Sequence, residues 1–285
     1  MLSIVIVNWN TREFLRACLT SIAQNPPKHP HETIVVDNAS GDDSTEMVRS
    51  EFPEVNLVAS KLNLGYAMGN NVGFEQAKYD VILTLNPDTE VFAGTLDETL
   101  RVLAANPNFG AVGARQIAAD GSTQQSIRGF PSLVGILGDL LRIRTGIFDS
   151  YRQANFDYER EQTAPQPMGT FIAFRRSALK EIGSDQQPFD KRFPIFFNEV
   201  DLLYRLNQAG WPALYAPSIR ILHHGGEGTR QVRRAMIWES HKSLIRFLLK
   251  HKVRWWNFPL YALIFVAIYV GAYIRARGYS AGFRG

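Results

Sequence analysis

Three short segments carry side chains that could act together. Asn86-Pro87-Asp88-Thr89 is a rigid turn that presents a carboxylate. A carboxylate on a fixed turn suits Mg2+ or Mn2+, hard cations that take oxygen ligands and complete their shell with phosphate and water. His223-His224-Gly225-Gly226 offers an imidazole that, when neutral, can join the same cation. Consecutive strand residues point to opposite faces, so one of the two histidines is expected to serve, not both. Asn198-Glu199-Val200-Asp201 puts two acids in the first turn of a helix, where the macrodipole already favours negative charge. The apolar approach Phe193-Pro194-Ile195-Phe196-Phe197 would desolvate Glu199 and lift its pKa towards the range of a general base. Glu199 and Asp201, two apart, do not share a helix face and are expected to have different tasks.

The elements that must hold these groups alternate between short apolar runs and amphipathic stretches, the signature of strands and helices around a parallel sheet. Strands are predicted at 2–7, 33–36, 55–59 and 80–85. Helices are predicted from a Thr11 cap to Pro26-Pro27, at 43–52 and at 66–78. Ligands of such sheets sit beyond the carboxyl ends of the strands. The polar residues there are Asn8 and Asn10, Asp37 and Asn38, Asn63, and Asn86 and Asp88. Gly65, Gly69 and Gly73, spaced by four, fit either close helix packing or close approach to a ligand. Further on, strands are predicted at 109–117, 169–174 and 213–222. Helices are predicted at 133–143, 177–182 and 198–209, the last with Asn198 as N-cap and Gly210 beyond its end. No Gly-x-Gly-x-x-Gly follows the first strand and no Walker-type loop occurs, which argues against hydride transfer and P-loop chemistry.

The composition, 285 residues with 45% hydrophobic and 20% charged, fits one large domain or two small ones and excludes disordered, collagen-like and disulfide-built chains. Cys18 is the only cysteine, and the N-terminus lacks the basic region of a secretion signal, so a reducing, cytoplasmic setting is expected. The net charge of +4 hides a division. Residues 240–285 hold eight Lys and Arg and no acid, leaving 23 basic and 27 acidic residues in 1–239. A nucleic-acid partner is therefore not expected, because the positive charge is not spread over the body. The tail pairs a basic amphipathic stretch, Lys242 to Arg254, with a 17-residue apolar run, Phe258 to Ile274, flanked by Trp255-Trp256 and ending near Tyr269 and Tyr273. Such a run is about 25 Å long as a helix against a hydrocarbon core of about 30 Å. The division predicts a catalytic domain at 1–239 and a membrane-associating helical tail at 240–285, spanning the bilayer or lying in its interface.

Taken in order, these motifs resemble family 2 glycosyltransferases, in particular the rhamnosyltransferase-like branch, over roughly residues 1–250. The resemblance implies an α/β GT-A nucleotide-diphospho-sugar transferase fold, a mostly parallel Rossmann-like sheet with a C-terminal helical, membrane-associating tail. By that likeness IVIVNWN and IVVDNAS hold the nucleoside through Asn8 and Asp37, with Asn10 and Asn38 beside them. NLGYAMGNNVGF brings Asn63, Gly65 and Asn71 near the nucleotide. LNPDT stands for an Asp-x-Asp motif, with Asn86 replacing the first acid and Asp88 as metal ligand. NEVDL aligns Glu199 with the catalytic acid, flanked on the acceptor side by Asn198 and Asp201. HHGGEGT makes His223 the second ligand, with Gly228 where a serine is frequent. The implied reaction is an inverting displacement. A base deprotonates the acceptor hydroxyl and a divalent cation, Mg2+ or Mn2+, stabilises the departing nucleoside diphosphate. The implied donor is dTDP-rhamnose, then UDP-sugars, and the implied acceptor a polyprenyl-linked or polysaccharide glycan at the cytoplasmic face of the inner membrane. A nucleotidyltransferase making activated sugars is the competing enzyme, but its Gly-rich basic loop after the first strand is missing. A non-catalytic sugar-binding subunit is disfavoured by the joint presence of Asp88, Glu199 and His223.

Overall fold

A computed structural model describes residues 1–141, 143, 151–183, 185–225 and 233–277. Gly226, Gly228 and residue 142 of the predicted helix 133–143 lie outside them. The first part of the chain runs β1 (Leu2–Asn8), α1 (Arg12–Gln24), β2 (His31–Asp37), α2 (Ser44–Glu51), β3 (Asn56–Ala59), α3 (Gly65–Gln76), β4 (Val81–Leu85), β5 (Thr89–Val91) and α4 (Thr95–Ala105). It continues through β6 (Ala111–Ile117), β7 (Ile127–Arg128), α5 (Leu133–Leu141), β8 (Gln162–Thr163), β9 (Gln166–Pro167), β10 (Phe171–Arg175) and α6 (Arg176–Glu181). The last elements are α7 (Asn198–Gln208), β11 (Ala213–His223), α8 (Arg233–His251) and α9 (Phe258–Arg277).

The main sheet runs β3-β2-β1-β4-β10-β6-β11-β5, with β8 also paired to β11. Strands β3, β2, β1 and β4 are mutually parallel, as are β6 and β11. Between these halves β10 runs antiparallel to both neighbours. Every residue of β1 is buried. Leu2, Ile4 and Ile6 pack with Leu15, Cys18 and Ile22 of α1, while Val5 and Val7 share the other core with Phe74 of α3. Helices thus cover both faces, which is what lets a continuous β-branched run sit in a parallel sheet.

Gly69 and Gly73 serve that packing. A Cβ at Gly69 would lie 2.7 Å from Val7 Cγ1, and one at Gly73 would overlap Val5. Gly65 differs, with φ +75 and a wall position in the site described below.

Two predicted caps are corrected. Thr11 stands at the N-cap of α1, but its hydroxyl donates to Asn8 Oδ1 at 2.7 Å instead of capping the helix. Asn198 is the first residue of α7. The cap position is taken by Phe197 in a left-handed conformation (φ 66), and the Asn198 amide donates back to Ile195 O.

The predicted boundary at 239/240 falls inside α8, which starts at Arg233. This helix is built into the body: Phe247 is fully buried with Phe193 and Val200. Helix α9 packs on α8 and α5 along one stripe, Tyr261, Ile264 and Ile268 meeting Ile245, Leu248 and Ile136. Its other face is apolar and open, with Leu263 71% and Ile274 65% exposed. By length and composition α9, 20 residues with a mean hydropathy of 1.7 over its apolar window, could cross a membrane.

Candidate active site

A cavity of about 580 Å³ opens at the carboxyl ends of β1, β4 and β11 and is closed on its far side by the start of α7 and by Ala235 and Met236 of α8. Nine of the residues singled out from sequence line it: Asn8, Asn38, Asn63, Gly65, Asn86, Asp88, Asn198, Glu199 and His223. Asn10, Asp37, Asn71 and Asp201 do not.

Those four lie behind the wall for distinct reasons. Asp37, almost fully buried, accepts from Asn8 Nδ2 at 2.9 Å and from the Ser40 backbone N–H at 2.9 Å, so it orients Asn8. Asn10, with φ 51, donates its N–H to Ser40 Oγ and accepts from Gly41 N–H, pinning the loop after β1 to the loop after β2. Asn71 spends both ends of its amide on the backbone of Phe189, at 2.8 and 2.9 Å. Asp201, with no exposed surface, turns to α8 and accepts from Lys250 Nζ (2.6 Å), His251 Nε2 (2.7 Å) and, within its own helix, Arg205 Nε (2.9 Å). Burial alone would raise its pKa, but His251, Arg205 and Lys250 outweigh it and hold the carboxyl below its usual range.

On the wall itself, Asn38 donates to Gly65 O at 3.1 Å, and Asn63 Oδ1 accepts from Gly65 N–H at 2.9 Å, which shapes the entry to α3. The buried amide oxygens of Asn38, Asn86 and Asn198 have no hydrogen-bond partner among the described residues. Buried polar atoms are nearly always satisfied, and these three belong to residues that line one cavity.

Asp88 Oδ2 lies 3.7 Å from His223 Nε2. His224 faces the other way, its Nε2 2.8 Å from Glu90 Oε1 and its ring against Phe14, so of the two histidines His223 is the one on the cavity. Among the described residues no three His, Cys, Asp or Glu side chains converge. One carboxylate and one imidazole, in a cavity that Asn86 also lines, nevertheless fit a cation whose remaining ligands are phosphate and water.

Glu199 stands on the same cavity, on the first turn of α7 and close to Gly169. Desolvation in this packed wall lifts its pKa to about 7 against the opposing pull of helix N–H groups. A carboxylate so tuned is a competent base at neutral pH.

Sequence reasoning missed Trp9, Tyr66, Met168, Thr170, Ala235 and Met236 on the wall. Trp9 sits between two flagged asparagines, and its position was a usable signal. Ala235 and Met236 carry no chemical signature and reach the cavity only through the path of α8.

Residues 3–183 match Glycosyl transferase family 2. The chain is 29% identical over 280 residues to N-acetylglucosaminyl-diphospho-decaprenol L-rhamnosyltransferase of Mycobacterium tuberculosis, covering 91% of this chain and 88% of that one. Among solved structures it resembles the mannosyltransferase PcManGT of Pyrobaculum calidifontis, in complex with GDP-Man and Mn2+. That match has a TM-score of 0.56 at 16% identity, over 97% of this chain and 82% of that one. It also resembles GalNAc-T7 with UDP, GalNAc and Mn2+, with a TM-score of 0.58 at 16% identity, over 79% of this chain and 44% of that one. The strand order, the cavity and these matches agree: the chain is a rhamnosyltransferase-like glycosyltransferase and belongs to glycosyl transferase family 2.

Proposed function

We propose that the enzyme transfers a sugar with inversion from a nucleoside diphosphate, rhamnose from dTDP-rhamnose in the first instance, to a polyprenyl-linked glycan. The observation that carries this reading is one cavity lined both by Glu199, tuned to about 7, and by the Asp88–His223 pair. The name of the mycobacterial relative supports the choice of sugar and of a lipid-linked acceptor.

Asn8, Asn38, Asn63 and Gly65 would receive the nucleoside, with Asp37 and Asn10 fixing them from behind. Asp88 and His223 would hold a divalent cation, which when bound neutralises charge on the departing diphosphate. Glu199 takes the proton of the acceptor hydroxyl as its oxygen bonds to the anomeric carbon, and the bond from that carbon to the diphosphate oxygen breaks. The nucleoside diphosphate leaves with the electron pair and the configuration inverts.

The outer face of α9 supports contact with the membrane that carries such an acceptor. Its inner stripe packs on α8, and its open apolar face, with Trp255 and Trp256 at its edge and Arg254, Arg275 and Arg277 near its ends, would meet lipid and anionic headgroups.

The test is nucleoside diphosphate release by the full chain from dTDP-rhamnose and a panel of UDP-sugars. Mn2+ or Mg2+ is supplied, with and without polyprenyl-diphosphate-linked N-acetylglucosamine. Release from dTDP-rhamnose that depends on both acceptor and metal is expected. Metal-independent release, or no stabilisation by any nucleotide sugar, overturns the reading.

A further inference from the structure

Gln124 lies outside every strand and outside the cavity lining, yet it makes two contacts with a single residue of the site. The chain leaves β6 and folds back at once. Gly121, with φ +83, lets its N–H reach Ala118 O, and Asp120 Oδ1 accepts from the N–H and hydroxyl of Ser122. The Gln124 N–H then returns to Gln116 O at 2.9 Å. Because β6 and β11 are parallel with Ile117 opposite Leu222, this tight reversal delivers Gln124 to the next residue of β11, His223. There Gln124 Nε2 donates to the His223 backbone O at 2.9 Å, and Oε1 lies 2.7 Å from His223 Nδ1.

The two contacts determine each other. A backbone carbonyl only accepts, so the NH2 end of the amide must face it. Oε1 is then left facing Nδ1, and it too can only accept. Nδ1 therefore carries the hydrogen, and in a neutral imidazole Nε2 is left with its lone pair. That is the nitrogen 3.7 Å from Asp88 Oδ2, on the cavity side.

We infer that Gln124 is a positioning residue that holds His223 as the Nδ1–H tautomer, so that its Nε2 lone pair and the Asp88 carboxylate face the same divalent cation. A ligating imidazole commonly donates its other N–H to such an outer partner, which fixes ring and tautomer and tunes affinity by about 10–100-fold. The inference rests on the metal-dependent reading above.

The test uses the full chain with its six histidines labelled with 15N, His223 being assigned from the signals missing in His223→Gln. At pH 8 the wild type should show His223 with a protonated Nδ1 and an unprotonated Nε2. Mn2+ binding, read from the electron paramagnetic resonance of free Mn2+ with dTDP or UDP present, should weaken about 10–100-fold in Gln124→Leu. Metal-free nucleotide binding should stay unchanged. Gln124→Glu keeps an acceptor for Nδ1–H and should recover part of the loss, which a merely structural tie between hairpin and strand would not predict. An Nε2–H tautomer in the wild type, or unchanged Mn2+ affinity in folded Gln124→Leu, overturns the inference. Should Gln124→Leu not fold, the wild-type tautomer and Gln124→Glu still decide. If the wild type shows the Nδ1–H tautomer but binds no Mn2+ with either nucleotide, the metal-dependent reading falls, and the inference with it.

Discussion

His251 Nε2 lies 2.7 Å from Asp201 Oδ1, so the last residue of helix α8 is tied to a carboxylate two residues beyond Glu199. With Lys250 on the same oxygen, and Lys250 also on Asp190, a polar cluster joins helix α7 to the part of the chain that sequence had assigned to a separate tail.

Asp201→Ala is expected to cost about 3–5 kcal/mol, the penalty of leaving buried cations without their partner, read from chemical denaturation. The pH dependence follows from the depressed pKa of Asp201. Its contribution is fully present above the unfolded value of about 3.9 and is lost as pH falls through the lower folded value. The Asp201 contribution should persist from neutral pH to about pH 4 and be lost below, and Asp201→Asn should flatten that acid limb.

A chain ending at residue 239 would lose Phe247, Lys250 and His251 together. It is expected to be markedly less stable than the full chain, whereas one ending at 257 keeps all three and should retain a cooperative thermal transition. The shorter loss should instead appear in sedimentation with anionic vesicles, where the chain ending at 257 stays in the supernatant. Equal stability of the two truncated chains would show that α8 is not part of the folded body.

Glu199→Gln should bind nucleotide normally and lose about 10²–10⁴ in turnover, the usual contribution of a positioned base. In the wild type the acid limb of the rate profile should fall near pH 7. Stability has the opposite sign to that of Asp201. The folded pKa is raised, so the native state loses stability as pH rises from the unfolded value to about 7. Above pH 7 Glu199→Gln should be the more stable protein, by on the order of 3 kcal/mol. Asp88→Ala should separate from it, weakening metal-assisted nucleotide binding while leaving stability near wild type.

Gly73→Ala should cost about 1–3 kcal/mol through overpacking against Val5. The equilibrium denaturation midpoint checks it. Gly41→Ala, at a position with nothing nearby, is the control.

What sequence could read here was local. The β1 to β4 repeats and the Asn and Asp at strand ends announce themselves within a few residues, because a strand's burial and its terminal turn are both short-range features. Glu199 was legible for the same reason, its apolar approach lying just before it in the chain. Asp201 was not, since the cations that claim it come from residues 250 and 251. The family resemblance implied Asn71 as a neighbour of the nucleotide, yet its amide is taken by Phe189, 118 positions away. Helix α4 and strand β5 went unread, and the antiparallel course of β10 is a matter of pairing that no local pattern encodes.

The seam made by β10 has a consequence for how this molecule could be rebuilt. Residues 3–183, the span shared with the wider family, end just after that strand and the short helix behind it. Everything contributed later, from Glu199 and His223 to the outer face of α9, follows in one uninterrupted stretch of chain. A graft made at Gly183 would exchange that whole stretch while keeping Asn8, Asn38, Asn63 and Asp88. Such a chimera would set the Asp88 of one relative against the His223 of another, across the 3.7 Å that separates the two side chains here.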